Sequence, residues 1–275
     1  MNRHLYSLLL YLLVPLILLR LLYRSIKNPE YRRRVEERFG FFRGRPDSEG
    51  IWVHAVSVGE AIAAVKLLTA LHRAEPGRAL SVTCGTPTGS QIIRDQLGNS
   101  VFHVYIPYDL PGAVGRFLNR IQPRAGIIME TEIWPNLIHA ASQKRIRLLI
   151  SNMRISDNSF RNYQKISGLV SGSLGCVDGF AAQTQQDADR AIALGADAQR
   201  VEVVGNLKFE MAGDVPDAAE IRQLKQAVAR ERKVWIAGST HQGEDEIVLG
   251  VHAKLLEDDP ELLLILVPRH PERFA

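Results

Sequence analysis

Three glutamates, one lysine and two hydroxyl-rich turns stand where an apolar run gives way to a helical pattern. The first is Glu60, in "IWVHAVSVGEA" (residues 51–61), with a β-branched run before it and a long helical pattern behind it. The positive end of a helix favours a carboxylate at that point, and Gly59 leaves room for a ligand to approach. Such a carboxylate can take the proton of an attacking hydroxyl that comes within hydrogen-bond reach. The plainer alternative is a first-turn helix stabiliser. "AGIIMETEIWPN" repeats the arrangement, with Glu130 ending an apolar run, Glu132 two residues later and Pro135 opening the next helix. Paired carboxylates at adjacent strand ends can share proton handling; a capping acid reads equally well. Lys208, in "GNLKFE", follows the last strand of the same series, where an ammonium neutralises a phosphate or a developing negative charge. An exposed linker lysine is the competing reading.

"TPTGSQ" (residues 86–91) offers N–H groups and hydroxyls, which suit an anion or an ordinary cap. Further on, "GSTHQGEDE" sets Ser239, Thr240 and His241 between a strand and a helix N-terminus, a place for a phosphate. "LVPRHPERF" leaves Arg269 and His270 at the end of a strand, suited to a nucleotide phosphate or base. Neither a GxGxxG fingerprint nor a P-loop is present.

The elements that must position these residues alternate steadily from residue 51. "IWVHAV", "ALSVTC", "VFHVYIP", "AGIIME", "RLLIS", "GFAAQ" and "VEVVG" read as strands, most of them separated by helical patterns such as "EAIAAVKLLTALHRA" and "GAVGRFLNRI". Strands alternating with helices imply an α/β fold with a parallel sheet covered on both faces, and such sheets gather their sites at the carboxyl ends of the strands. Residues 51–210 form that Rossmann-like unit. A polar stretch, 211–231, reads as a linker, and the rhythm restarts over 232–275 with a strand, a helix and a strand. A complete second lobe needs on the order of 100 residues or more, so this portion reads as the beginning of one.

Ahead of the sheet lies "LYSLLLYLLVPLILLRLLY", inside a 1–25 segment that reads as a membrane helix, spanning the bilayer or lying along its surface. No small-residue cleavage site follows it. Residues 26–50 are basic, and the block from Arg20 to Arg45 reads as a surface for anionic lipid, not nucleic acid. Positive charge on that side places the remainder of the chain in the cytoplasm. The overall charge of +4 is modest, so its placement carries the argument. Cys84 and Cys176 lack metal-ligand spacing and point to a reducing compartment.

Taken in order and spacing, "HAVSVGE", "TPTGS", "YIPYDLP", "METEIWPNLI", "GNLKFE", "STHQGE" and "LILVPRHPERF" resemble the 3-deoxy-D-manno-octulosonic acid (Kdo) transferases of lipopolysaccharide assembly, over essentially the whole chain. The resemblance implies a membrane-bound GT-B glycosyltransferase with two Rossmann-like lobes. It implies transfer of Kdo from CMP-Kdo to a lipid A precursor (lipid IVA) at the cytoplasmic face of the inner membrane. CMP is released, the anomeric centre inverts, and neither metal nor other cofactor takes part. On this resemblance Glu60 matches the general base, Glu130 and Lys208 match residues that stabilise the transition state, and Pro268 and Arg269 match part of the CMP site. The family continues past "PERF" with glycine-rich and Asn/Glu-containing segments that are not in these 275 residues, so a C-terminally truncated donor lobe with weakened CMP-Kdo binding is expected. Two other readings stay open: a catalytically silent lipid-binding module, and a GT-B transferase using another nucleotide sugar.

Overall fold

A computed structural model describes residues 2–44, 46–47, 49–207 and 218–269. It divides into two units, residues 1–211 and 212–275.

In the first unit seven strands form one parallel sheet: β1 (Ile51–Ala55), β2 (Leu80–Cys84), β3 (Phe102–Tyr105), β4 (Ala125–Met129), β5 (Arg147–Met153), β6 (Gly179–Ala182) and β7 (Val201–Val203). Their order is β3-β2-β1-β4-β5-β6-β7. The apolar runs form strands because helices cover both faces of the sheet, so neither face needs polar residues. Trp52, Ile128 and Ile150 pack with Phe117 and Leu137 on one side. On the other, Val53, Ala55 and Val82 pack with Leu68 and Ile93. The sheet pinches at Gly126, where an added Cβ would sit 2.8 Å from both Leu148 and Trp52.

The covering helices are α2 (Val58–Ala74), α3 (Pro87–Leu97), α4 (Pro111–Ile121), α5 (Pro135–Gln143), α6 (Asp157–Lys165), α7 (Ser167–Leu174) and α8 (Gln185–Ala193). Three of them open with proline at the first turn, where its missing N–H costs nothing. The sequence reading places no helix between β5 and β6, yet α6 and α7 stand there. Serine, glycine and asparagine dilute the pattern, and tertiary packing of Leu169, Val170 and Leu174 overrides their weak propensity.

Helix α1 (Arg3–Lys27) is 25 residues long with mean hydropathy 2.3, long and apolar enough to cross a membrane. It does not stand free of the globular unit. Its partly or fully covered positions, Arg3, Tyr6, Ser7, Leu10, Val14, Ile17, Leu21 and Ser25, follow three- and four-residue steps along one helical face. The opposite face exposes Leu12, Leu16 and Leu19.

After α1 the basic segment folds back as two 3₁₀ turns, Pro29–Arg32 and Val35–Phe39. The expected lipid-facing block is therefore only partly a surface. Arg34 pairs with Glu37 at 2.7 Å, and Arg38 is 6% exposed. These residues close the free edge of β3: Arg34 Nη2 donates to the His103 carbonyl at 3.1 Å, and Tyr105 N donates to Glu37 Oε2 at 2.8 Å.

The second unit holds a two-stranded parallel sheet of β8 (Val234–Thr240) and β9 (Leu263–Pro268). Helix Glu244–Asp258 joins them, and Ile236, Ile247, Leu249 and Val251 are exposed. Within 211–231, read from sequence as a linker, residues Ala218–Val228 form a helix of good helix formers (Ala, Glu, Gln, Leu, Lys).

Candidate functional site

The strand order reverses between β1 and β4, and in open parallel sheets ligands bind outside the carboxyl ends of strands at such a switch point. Glu60 lies just after β1, and Glu130 is the first residue after β4. Two of the acids singled out from sequence thus flank the switch point of this topology.

Glu60 is held in a capping box at the start of α2. Its Oε2 accepts from Val56 N at 2.7 Å and its Oε1 from Ser57 N at 3.2 Å, while Ser57 Oγ accepts from Glu60 N at 3.2 Å. The residue is 5% exposed. The helix-stabilising role is therefore realised. Two of the roughly four lone-pair directions on the carboxylate are used, which leaves acceptor capacity for a substrate proton. No ion pair to it occurs among the described residues.

Glu130 adopts a left-handed backbone, φ 57°, with its N–H donating to Ser151 O at 2.8 Å. Asn152, at the end of the neighbouring strand, has φ 56°. Left-handed non-glycine residues cost energy and concentrate at functional sites; here two of them end adjacent strands beside the switch point. Glu132 completes an acidic group. Its carboxylate accepts from Trp134 Nε1 at 2.7 Å. Burial pushes its pKa up, the Trp134 bond opposes that, and the charges of Glu60 and Glu130 push it further up. Glu132 therefore lies close enough to both of the other carboxylates to feel their charge.

Lys208 lies outside the described residues. The backbone leading to it is fixed, since Leu207 N donates to Asn152 Oδ1 at 3.0 Å. Sequence reasoning missed Asn152, which is 2% exposed. Its one signal was a polar residue inside "LLISNM", an apolar run. Thr86, in "TPTGSQ", is an ordinary cap: its Oγ1 accepts from Gly89 N at 3.2 Å.

Other residues of the recurring words position the edge. Asp109, from "YIPYDLP", accepts from Asn136 N at 3.0 Å and Leu137 N at 2.8 Å, capping α5. Burial raises its pKa to about 6, against the lowering effect of those donors. Asn136 Oδ1 in turn accepts from Ser7 Oγ at 3.0 Å, and Tyr6 hydrogen-bonds Asp109. The start of α1 is thereby locked to the sheet. His54 is fully buried, with Nδ1 2.9 Å from Thr83 Oγ1, and burial lowers its pKa to about 4. It is neutral at pH 7, and the Trp134 ring stands edge-on to it at 5.6 Å.

In the second unit, Ser239, Thr240 and His241 end β8 while Pro268 and Arg269 end β9. Arg269 N donates to Thr240 O at 2.9 Å, so the two predicted nucleotide motifs meet at one sheet edge. Ser239 is left-handed, φ 61°. The following helix already carries Glu244, Asp245 and Glu246 in its first turn, and Glu244 Oε2 accepts from His241 N at 2.7 Å. Negative charge at that N-terminus works against a phosphate held there by the helix dipole. His270 lies outside the described residues.

A family model described as "3-Deoxy-D-manno-octulosonic-acid transferase (kdotransferase)" matches residues 33–211. A 3-deoxy-D-manno-octulosonic acid transferase of Haemophilus influenzae is 42% identical over 276 residues, covering 100% of this chain and 65% of the relative. One from Bordetella pertussis is 35% identical over 290 residues, with the same 100% and 65% coverage. The chain thus spans just under two thirds of the length of these curated relatives. Among solved structures, the UDP-GlcNAc 2-epimerase of Methanocaldococcus jannaschii gives a TM-score of 0.55 at 13% identity, covering 81% of this chain and 66% of that one. The UDP-GlcNAc 2-epimerase of Neisseria meningitidis gives 0.54 at 12% identity, covering 79% and 64%. At such identities these likenesses show the fold alone, and it is the GT-B-like α/β class expected from sequence.

Proposed function

The chain belongs to the 3-deoxy-D-manno-octulosonic-acid transferase family, and we propose that it works as a glycosyltransferase moving Kdo from CMP-Kdo to a hydroxyl of a lipid A precursor, lipid IVA, with release of CMP. The observation that carries this reading within the fold is the placement of Glu60 and Glu130 on either side of the β1/β4 switch point.

The acceptor hydroxyl gives its proton to the Glu60 carboxylate as its oxygen attacks the anomeric carbon of Kdo. The bond from that carbon to the CMP phosphate breaks, and its electron pair leaves on the phosphate. Attack from the face opposite the leaving group inverts the centre. The two backbone N–H groups on Glu60 aim its carboxylate without neutralising it. Glu130 carries negative charge to the same crevice, where an oxocarbenium-like sugar develops positive charge. Lys208 and the Pro268–Arg269 segment keep the roles the family pattern implies, stabilising the transition state and holding CMP. No metal or other cofactor enters these steps.

The protein works at the inner membrane, with its catalytic edge on the cytoplasmic side. Of the two placements of α1, the contacts favour the interfacial one. Both ends of a helix about 37 Å long meet the same globular unit: Ser7 touches Asn136 near the start, and Leu21 and Arg24 near the end line one cavity with Val56, Gly85 and Tyr108. A helix crossing a bilayer would put its ends on opposite sides.

Incubating the chain in detergent–lipid micelles with CMP-Kdo and lipid IVA tests the reading. A mass increment of one Kdo residue on the lipid, with stoichiometric CMP, is expected. CMP-Kdo left intact while a UDP-sugar is consumed overturns it.

A further inference from the structure

A cavity of about 280 Å³ lies between the C-terminal half of α1 and the carboxyl ends of the first strands. Arg20, Arg24 and Arg38 line it together with Tyr31, Tyr108 and Trp134. No acidic residue is among its described lining. Val56, whose N–H holds the Glu60 carboxylate, forms part of its wall.

Arg38 is the informative residue. Its guanidinium and that of Arg34 both stack on the Tyr105 ring, at 4.4 Å and 4.7 Å. Arg34 is neutralised by Glu37 at 2.7 Å. Arg38, 6% exposed, donates one hydrogen bond to Gly85 O at 3.1 Å and meets no carboxylate among the described residues. Its Nε is buried without a hydrogen-bond partner. Buried cations are normally paired, so an uncompensated guanidinium on a cavity wall calls for an anion from outside the chain. Arg20 and Arg24 are exposed on the same cavity, and three cations in one small pocket more than balance a phosphate monoester, about −1.5 to −2 at neutral pH. Guanidinium forks suit its planar pairs of oxygens.

We propose that this pocket binds a phosphate monoester borne by a membrane lipid, and so seats the phosphorylated end of the acceptor beside Glu60. The lipid source follows from the wall. One side is α1 itself, through Ile17 and Leu21, and its outer face exposes Leu16, Leu19 and Leu22 where acyl chains would lie. The proposal rests on the transferase reading for its purpose, yet its binding step needs neither Kdo nor CMP. A larger cavity of about 1340 Å³ also carries arginines, but it lies by the amino end of β3 and includes Glu36 and Glu37 in its lining, away from the catalytic edge.

The test is co-sedimentation of the full chain with phosphatidylcholine vesicles containing phosphatidic acid, a monoester, or phosphatidylglycerol, a diester, matched in surface charge. We expect roughly tenfold tighter binding to the phosphatidic acid vesicles, the equivalent of about one decade in Kd. A double variant, Arg20→Gln with Arg24→Gln, alters only exposed residues and should erase most of that preference, with phosphatidylglycerol binding falling only by the general loss of two charges, at most about thirtyfold. Arg38→Lys, which keeps the charge and loses the fork, should weaken the preference by a similar factor. Equal binding to the two vesicles, or a preference untouched by the double variant, overturns the proposal. Inorganic phosphate that binds as tightly as the vesicles, measured by calorimetry, overturns the lipid source. Because no sugar donor is present, a wild-type chain that transfers Kdo but shows no preference for phosphatidic acid refutes the pocket and spares the transferase, and a chain that shows the preference without transfer refutes the transferase alone.

Discussion

Replacing Glu60 by glutamine separates the helix-capping role it has from the catalytic role proposed for it. The carboxylate accepts from Val56 N at 2.7 Å and from Ser57 N at 3.2 Å. Glutamine offers one acceptor oxygen and turns its amide N–H₂ toward the other donor, so one backbone N–H loses its partner in a site only 5% exposed. An orphaned buried donor costs about 1–3 kcal/mol. In a domain of this size that lowers Tm by about 2–4 °C per kcal/mol, leaving the variant folded at assay temperature. Loss of a general base costs far more in rate, about 10²–10⁴ in kcat, or roughly 3–5 kcal/mol of barrier. Initial rates of Kdo transfer at saturating CMP-Kdo and lipid, run beside a thermal melt, read both numbers from one preparation. We expect kcat down by at least about a hundredfold and KM for the acceptor nearly unchanged. A variant retaining kcat within about tenfold of wild type, or one whose loss disappears on cooling below the melt, would assign Glu60 to helix capping alone.

Three further outcomes are expected. Asp109→Asn should change how stability depends on pH. The folded pKa of Asp109 stands at about 6 against 3.8 unperturbed, so the native state binds the extra proton, and this contribution is lost as pH rises through that window. Its size is about 2–3 kcal/mol. Denaturant titrations at intervals from pH 4 to 7 should give a wild-type-minus-variant difference that falls with pH, and a flat difference would refute the assignment. Asn136→Ala removes the acceptor of Ser7 and a donor to Asp109 O at 2.6 Å, at a cost of about 1–3 kcal/mol; hydrogen exchange should speed up first in residues 3–11, and uniform acceleration across the sheet would contradict a local lock. Gly126→Ala forces a methyl to within 2.8 Å of Trp52 and Leu148, an overpacking of about 1–3 kcal/mol that a melting curve reads directly; an unchanged Tm would mean the sheet relaxes there.

The parallel sheet and its switch-point acids were legible because both rest on local pattern: β-branched runs, and polar residues at their carboxyl ends. What was not legible depends on groups distant in sequence. Asn152 holds the backbone beside Lys208 across 55 residues of chain, and nothing in "LLISNM" announces which N–H its amide takes. Arg38 looked like one more residue of a basic block, and only the fold separates it from Arg34 by giving one a glutamate and denying it to the other. Asp109 and Asn136 stood in view as distinctive words, but their partners on α1 lie more than 100 residues away. The helix Ala218–Val228 was passed over because the glycine, aspartates and proline just before it read as a linker signal.

The closed margin of β3 has a consequence for life on a surface. An open sheet invites strand addition by a neighbouring molecule, and the bilayer placement proposed above would multiply the encounters between copies. Here the hydrogen-bonding slots of His103 and Tyr105 are already plugged by side chains from the chain's own arginine-rich turn. At the opposite margin β7 runs for three residues only, too short a template for stable pairing. On a membrane such margins would keep crowded copies from zipping sheet to sheet, and Glu37→Ala, by freeing the Tyr105 N–H, would be the change that brings oligomers out in proportion to surface density.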